Sequence, residues 1–164
     1  MTCTDESIGT VNLAAAEPAS METRPVTAAD RELIEAITET NARTVDHDFF
    51  DGAHIVTAGV RMADGAVYAG SSLPASVGRA SVCGEPVAIG SAVADGYRHD
   101  EIDTCVAVAY PMPDHDVEDQ RVIPPCGTCR ELLADYDAEM RVLVPVDGDL
   151  RVARAIDLLP TRTW

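Results

Sequence analysis

Three cysteines constrain the fold of this 164-residue chain more than any other feature of its sequence. Residues 83–85 read Cys-Gly-Glu, and residues 125–129 read Pro-Cys-Gly-Thr-Cys. Each fragment is predicted to begin a helix, where unpaired N–H groups and the positive end of the helix dipole stabilise thiolates. Three thiolates can hold Zn²⁺ and leave one tetrahedral position open for water. If Cys83, Cys126 and Cys129 bind one ion, the starts of two helices must lie side by side.

Glu85 follows the first cysteine by two residues and is placed to face the open position of such a zinc site. A carboxylate there can take a proton from water and pass it to a departing amine. A Cys-x-x-Cys pair alone also occurs in structural zinc sites and in thioredoxin-like redox sites, and both remain as alternatives. The upstream glutamate and the preceding Pro125 favour a catalytic zinc site.

Arg130 comes directly after Cys129 and has two interpretations. Three thiolates around Zn²⁺ carry a net negative charge, and an arginine that hydrogen-bonds one of them would offset it. The alternative is a surface arginine paired with Glu131 or Asp135.

The order of apolar and turn-forming segments predicts an α/β fold. The predicted elements are a helix at 27–44, a hairpin of strands 54–62 and 67–70, a helix at 83–95, a strand at 102–109, a helix at 126–135, a strand at 141–146 and a short helix at 155–159. This order predicts a sandwich of two or three layers around one mixed sheet. The helix at 83–95 is apolar on nearly every face, which predicts packing on both sides. Residues 1–25 lack periodicity and are interpreted as a mobile N-terminal extension before a catalytic domain at 26–164.

The charge of the chain argues against several classes of partner. The formal net charge is −16, and the twelve basic residues are all arginine. Such a surface repels phosphate backbones and anionic lipids, so neither nucleic acid nor a membrane is expected as a partner. Residues 1–25 do not resemble a secretory signal, and the expected location is cytoplasmic. Five cysteines, an odd number, disfavour a disulfide framework.

The pattern Cys-x-Glu followed by Pro-Cys-x-x-Cys resembles that of the cytidine deaminase superfamily. The resemblance spans roughly residues 27–164 and is strongest over 52–71 and 83–133. It implies a three-layer α/β/α sandwich, one Zn²⁺ per chain on the three cysteines, and Glu85 as the proton carrier. The implied activity is hydrolytic deamination of cytidine or of a cytosine-like nucleoside or heterocycle. A homo-oligomer is also implied, with a tetramer favoured over a dimer.

The expected substrate contacts depart from this family. Cytidine deaminases commonly carry Asn-x-Glu for the ribose hydroxyls at a position where this chain has Ser72, Leu73 and Pro74. The position of the family's base-packing aromatic residue falls on His54. This histidine is predicted either to stack on or hydrogen-bond the substrate, or to be a strand residue satisfied by local backbone. Ser72 is retained as a candidate contact.

The missing sugar-binding pair leaves the substrate open. Blasticidin S deaminases also lack the full pair, which keeps an aminonucleoside or another nitrogen heterocycle, in secondary metabolism or drug resistance, as an alternative. Trp164 near the carboxyl terminus is similar to an aromatic residue that reaches a neighbouring subunit's site, although a frayed terminus is the alternative. A rival of another class is a non-catalytic, zinc-stabilised binding or assembly protein.

Overall fold

The computed structural model describes residues 21–112 and 118–159. Its strands and helices are β1 (Thr23–Pro25), α1 (Ala28–Thr44), β2 (Val56–Met62), β3 (Val67–Ser71), α2 (Gly84–Ala94), β4 (Ile102–Ala109), β5 (Arg121–Ile123), α3 (Gly127–Tyr136), β6 (Arg141–Val146) and β7 (Asp149–Arg154). Short 3₁₀ turns lie at Gly78–Ala80, His99–Glu101 and Ile156–Leu158. None of the helices in these ranges is long and apolar enough to cross a bilayer.

One mixed sheet organises the molecule. Its strand order is β1-β7-β6-β4-β2-β3, and β5 pairs with β4 off this path. The β4–β6 pair is parallel and the other pairs are antiparallel. The predicted mixed sheet is therefore confirmed.

Helices cover both faces of this sheet, and β4 shows how. Its side chains alternate between the faces, as they must in a strand. Val106 and Val108 pack with Leu33 and Ile37 of α1 in one apolar cluster. Cys105 packs in a second cluster, whose helical members are Ala88, Ile89 and Ala92 of α2 and Leu133 and Ala134 of α3. The three-layer α/β/α sandwich is confirmed, and Cys105 is a core residue.

Helix α1 begins with a capping box. The Thr27 hydroxyl accepts a hydrogen bond from the Asp30 N–H at 3.2 Å, and the Asp30 carboxylate accepts one from the Thr27 N–H at 2.8 Å. This exchange satisfies two backbone donors that have no partner inside the helix. Asp30 is also bonded to Arg61 of β2 at 3.2 Å and to Arg141 of β6 at 2.5 Å. The cap therefore fixes α1 to two strands of the sheet.

Helix α2 lies against the β2–β3 hairpin through two glycines. A Cβ atom at Gly70 would lie 2.2 Å from the Ala88 nitrogen, and one at Gly84 would lie 2.7 Å from the Gly70 oxygen and from the Ala58 nitrogen. Because both positions lack a side chain, the first turn of the helix touches the hairpin backbone directly. The prediction that α2 packs on both sides is wrong for the single chain, since Val93 is 46 % exposed.

Three strands were not predicted. Strand β1 falls in the predicted extension, and β5 overlaps the end of the predicted loop. Strand β7 lies between the predicted turn at 147–148 and the predicted short helix at 155–159. Strand β1 pairs with β7, so Thr23–Pro25 belongs to the sheet and not to an N-terminal extension. Residues 1–20, the remainder of the predicted extension, lie outside the described ranges.

Candidate active site

The three predicted ligand cysteines converge at the starts of α2 and α3. Cys83 is the N-cap residue of α2, Cys126 is the N-cap residue of α3, and Cys129 lies in the first turn of α3. Their Sγ atoms all lie within 4.8 Å of one another, and those of Cys83 and Cys126 are 3.7 Å apart. With Zn–S bonds of about 2.3 Å, two thiolates of a tetrahedral site are about 3.8 Å apart. The cysteine cluster therefore fits one zinc ion.

The protein environment acts differently on these thiols. Burial, followed by the negative charge of Glu85, raises the pKa of Cys129. Burial also raises the pKa of Cys83. Burial would raise the pKa of Cys126 too, but hydrogen bonds from the backbone of Cys129 and from the neighbouring thiols outweigh it and lower that pKa. Cys126 is thus the thiol that ionises most readily, as expected at a helix N-terminus.

Glu85 lies in the first turn of α2, two residues from Cys83 and directly after Gly84. The residue is 4 % exposed, yet it lines the cavity that also exposes Cys83 and Cys126. The close contact of Gly84 with the β2–β3 hairpin fixes the turn from which Glu85 projects. A single buried carboxylate therefore shares a cavity with the cysteine cluster.

This active-site cavity has a volume of about 410 Å³. Besides the cysteines and Glu85, it is lined by His54 and Ser72, two of the three residues proposed as substrate contacts. A volume of this size is in the range of small-molecule sites. The structure thus brings the predicted chemistry and two of the predicted substrate contacts into one pocket.

His54 has an unusual backbone and a defined hydrogen bond. Its φ is 57°, in the left-handed region that a non-glycine residue adopts at a cost, and β2 begins only at Val56. Its Nδ1 lies 2.7 Å from the Ser72 carbonyl oxygen. Because a carbonyl can only accept, the Nδ1–H group donates in this hydrogen bond. The prediction that His54 is a strand residue is wrong.

Known structures share this fold. The chain resembles the cytidine deaminase of Burkholderia pseudomallei, with 27 % identity and a TM-score of 0.62 over 84 % of this chain and 100 % of that chain. It also resembles the fold of the cytidine deaminase of Bacillus anthracis, with 18 % identity and a TM-score of 0.61 over 80 % of this chain and 87 % of that chain. No protein-family model matches the sequence.

A sequence relative decides the family. The Blasticidin-S deaminase of Bacillus cereus is 36 % identical over 142 residues, which cover 87 % of this chain and 97 % of that protein. The chain belongs to the cytidine deaminase superfamily. As a member, it is a hydrolytic deaminase that acts on C–N bonds.

In this deaminase, the Arg130 side chain is hydrogen-bonded to the backbone that precedes Cys126. Its Nε donates to the Pro125 carbonyl at 2.9 Å, directly before Cys126. Two contacts were predicted for Arg130, a hydrogen bond to a thiolate or an ion pair with Glu131 or Asp135. The hydrogen bond to the Pro125 carbonyl is neither of them. Trp164 lies outside the described residues, so its predicted contact is not located.

A buried amide that sequence reasoning missed supports the cavity wall of this deaminase. Asn41 of α1 has no exposed surface and donates to the Ile55 carbonyl at 3.2 Å and to the Thr57 hydroxyl at 3.1 Å. Ile55 directly follows His54 and lines the cavity. Asn41 continues the four-residue spacing of Leu33 and Ile37 on the buried face of α1. A polar residue at such a position indicates a buried hydrogen bond, and this signal was available in the sequence.

Proposed function

We propose that this deaminase binds one Zn²⁺ through Cys83, Cys126 and Cys129 and releases ammonia from cytidine or a cytosine-like nucleoside or heterocycle, with Glu85 as the proton carrier. The observation that carries the proposal is the 3.7 Å separation of the Cys83 and Cys126 sulfurs beside a buried carboxylate in the same cavity. A zinc ion bound by these cysteines would act as a Lewis acid and activate water near neutral pH.

The side chains of this deaminase account for the proton transfers. Water adds to the ring carbon that bears the amino group, and Glu85 accepts the proton that the water loses. Glu85 passes this proton to the neighbouring ring nitrogen and then moves the proton of the new hydroxyl group to the amino nitrogen. The C–N bond breaks, ammonia leaves, and a carbonyl remains beside a ring N–H. Burial of Glu85 excludes bulk water from this exchange.

His54 and Ser72 are proposed as substrate contacts. The hydrogen bond from Nδ1 to the Ser72 carbonyl holds the imidazole in place and leaves Nε2 for a polar group of the substrate. Trp164 is proposed as a contact to a neighbouring subunit's site. Arg130 is proposed to act on the metal site from beside the ligand cysteines. The hydrogen bond from Arg130 to the Pro125 carbonyl supports a role in positioning Cys126.

The catalytic domain is proposed to comprise residues 26–164 together with strand β1. A homotetramer is proposed in preference to a dimer. The proposed location is cytoplasmic. Neither nucleic acid nor a membrane is proposed as a partner of so acidic a chain.

A second candidate substrate is an aminonucleoside. It is supported by the 36 % identity to an enzyme named for blasticidin S. The non-catalytic alternative is disfavoured, since Glu85 shares the cavity with the cysteines.

The test of the proposed function compares the wild-type enzyme with Glu85→Gln. Ammonia release is measured with cytidine, deoxycytidine, cytosine and blasticidin S, and zinc is measured by elemental analysis. We expect one zinc per chain in both proteins and a kcat that is lower by about 10²–10⁴-fold in the variant, because general acid–base catalysis contributes that much.

The matched control is Glu139→Gln, since the Glu139 side chain is 68 % exposed and lies outside the active-site cavity. It should leave turnover unchanged. Normal turnover by Glu85→Gln, or a fully active protein without zinc, would overturn the proposal.

A further inference from the structure

Two segments that line the active-site cavity come from distant parts of the sequence. One segment, 52–56, carries His54 and leads into β2. The other contains Ile123 and Pro124, at the end of β5, and continues to Cys126. The relative position of these two segments therefore determines how a substrate held beside His54 faces the cysteine cluster.

The buried side chain of Asn41 holds the first segment. Its Nδ2 atom donates to the Ile55 carbonyl at 3.2 Å and to the Thr57 hydroxyl at 3.1 Å, which uses both N–H groups of the amide. Asn41 has no exposed surface in the single chain. A neighbouring subunit therefore cannot contact this side chain or change its partners.

The carbonyl end of the same amide is joined to the second segment through Gln120. The Asn41 Oδ1 atom accepts from Nε2 of Gln120 at 2.7 Å, and this Nε2 also donates to the Thr38 carbonyl at 3.0 Å. Gln120 directly precedes β5, so both bonds attach the start of β5 to helix α1. We call this row of hydrogen bonds, from Gln120 through Asn41 to Ile55, the amide bridge.

Packing alone does not require a polar side chain at the centre of this bridge. Asn41 continues the apolar stripe of Leu33 and Ile37, where a hydrocarbon side chain would pack against the sheet without any partner. A buried amide costs free energy unless its bonds are made, so it favours the one arrangement in which all its partners are in place. Strand β5 pairs with β4 through only three residues. The amide bridge therefore adds a directional link between β5 and the segment 52–56.

We infer that Asn41 and Gln120 are positioning residues of this deaminase, because the amide bridge holds the segments of His54 and Pro124 at the spacing that substrate binding requires. The effect on the substrate rests on the proposed function of the site. Neither Asn41 nor Gln120 lines the cavity, so both act through the residues that they hold. Loss of the bridge should weaken substrate binding more than it slows the chemical step.

The first test replaces Gln120, whose side chain is only partly buried, and leaves the buried Asn41 in place. Gln120→Leu removes both donated bonds, and Gln120→Glu keeps the shape but, when ionised, presents an acceptor to two carbonyl oxygens. Kinetics are measured with the best substrate among cytidine, deoxycytidine, cytosine and blasticidin S. Both variants should raise KM by about fivefold or more and change kcat by less than about twofold, as expected when binding is lost rather than transition-state stabilisation.

The matched control is Thr27→Ala, which loosens the other end of α1 by removing the hydroxyl of its cap. Thr27 does not line the active-site cavity, so this variant should leave KM unchanged. A change of KM of the same size in Thr27→Ala, or an unchanged KM in both Gln120 variants, would overturn the inference.

Hydrogen exchange gives a second readout that needs no turnover. The Tyr110 N–H donates to the Ile55 carbonyl at 2.7 Å, and among the hydrogen bonds of the described residues the Gln120 side chain reaches that carbonyl through Asn41. Exchange of this N–H should be at least about fivefold faster in Gln120→Leu and should match the wild type in Thr27→Ala. Unchanged exchange in Gln120→Leu overturns the inference, as does faster exchange with an unchanged KM.

The two readouts separate this inference from the proposed function. A wild-type enzyme that releases no ammonia from any of the four compounds counts against the proposed function. Faster exchange in Gln120→Leu than in Thr27→Ala still supports the amide bridge in that case, and equal exchange overturns it.

Discussion

Asp30 is a carboxylate buried between two arginines, and its ionisation is coupled to folding. The residue has no exposed surface and is bonded to Thr27, Arg61 and Arg141. Burial alone would raise the pKa of Asp30, but the hydrogen bonds with Thr27 and the positive charges of Arg141 and Arg61 outweigh it, and the pKa is lowered. The ionised form therefore contributes to stability in the folded state.

The sign of the pH dependence follows from this shift. The unfolded-state pKa of an aspartate is about 3.9, and the folded-state pKa lies below it. The contribution of Asp30 is fully present well above that value and is lost as the pH falls through it toward the folded-state pKa. Asp30→Asn should lower the free energy of unfolding by about 3 kcal/mol at pH 7, because the buried ion pair with Arg141 loses its carboxylate and Arg61 keeps only Asp103 as a counter-charge. It should also flatten the loss of stability below about pH 4.

Urea unfolding at pH 7 and at pH 3.5 measures both effects. Asp100→Asn is the matched control, because Asp100 is 59 % exposed and pairs with an exposed Arg98. An exposed pair contributes about 0–1 kcal/mol, so this control should stay within that range at pH 7. Equal losses in the two variants would contradict a special role for the buried carboxylate.

At the scale of single residues, the sequence predicted which side chains come together in the cavity better than it predicted their surroundings. Cys83, Cys126, Cys129 and Glu85 were identifiable because zinc chemistry demands these residue types at these spacings. The left-handed backbone of His54 and its hydrogen bond to Ser72, 18 residues away, have no local signal in the sequence.

At the scale of elements, the capping box of α1 connects a local sequence signal to the sheet. Thr27→Ala removes the hydroxyl that accepts from the Asp30 N–H and should lower the free energy of unfolding by about 1 kcal/mol. Thr27→Ser keeps the hydroxyl and should retain most of the stability. The two variants are compared by urea unfolding at pH 7. If Thr27→Ser lost as much stability as Thr27→Ala, the hydroxyl would not be the cause.

The elements that the sequence predicted are those with strong local patterns. Strand β4 is an apolar run and was predicted with its observed bounds, Ile102–Ala109. Strand β7 alternates charged and apolar residues over only four positions, Asp149 to Val152, and β1 has three residues and ends in Pro25, so both local patterns are short. They become strands because they pair with each other and β7 pairs with β6, a tertiary effect that local patterns do not encode.

At the scale of the whole molecule, the net charge of −16 opposes folding through self-repulsion. Added salt screens exposed charges, with a Debye length of about 10 Å at 0.1 M and about 3 Å at 1 M. The melting temperature of the wild-type protein should therefore rise by several degrees between 0.05 and 1 M KCl, since about 1 kcal/mol corresponds to about 2–4 °C at this size.

Differential scanning calorimetry at pH 7 measures this rise. The control is the same comparison at about pH 4, where many carboxylates are neutral and the repulsion is weaker. A melting temperature that fell with KCl at pH 7 would mean that attractive surface pairs outweigh the repulsion.

The paired glycines between α2 and the β2–β3 hairpin also bear on how this sequence can change over generations. At Gly70 and Gly84 even a methyl group would collide with backbone atoms, whereas at Gly78, Gly90 and Gly127 it would meet no atom within 4 Å. The two groups should separate in a saturation mutagenesis library selected for deaminase activity. Positions 70 and 84 would stay glycine, and position 78, which lies outside the cysteine segments, would accept other residues. The tolerance of a glycine to replacement thus maps the contact that holds Glu85 in place.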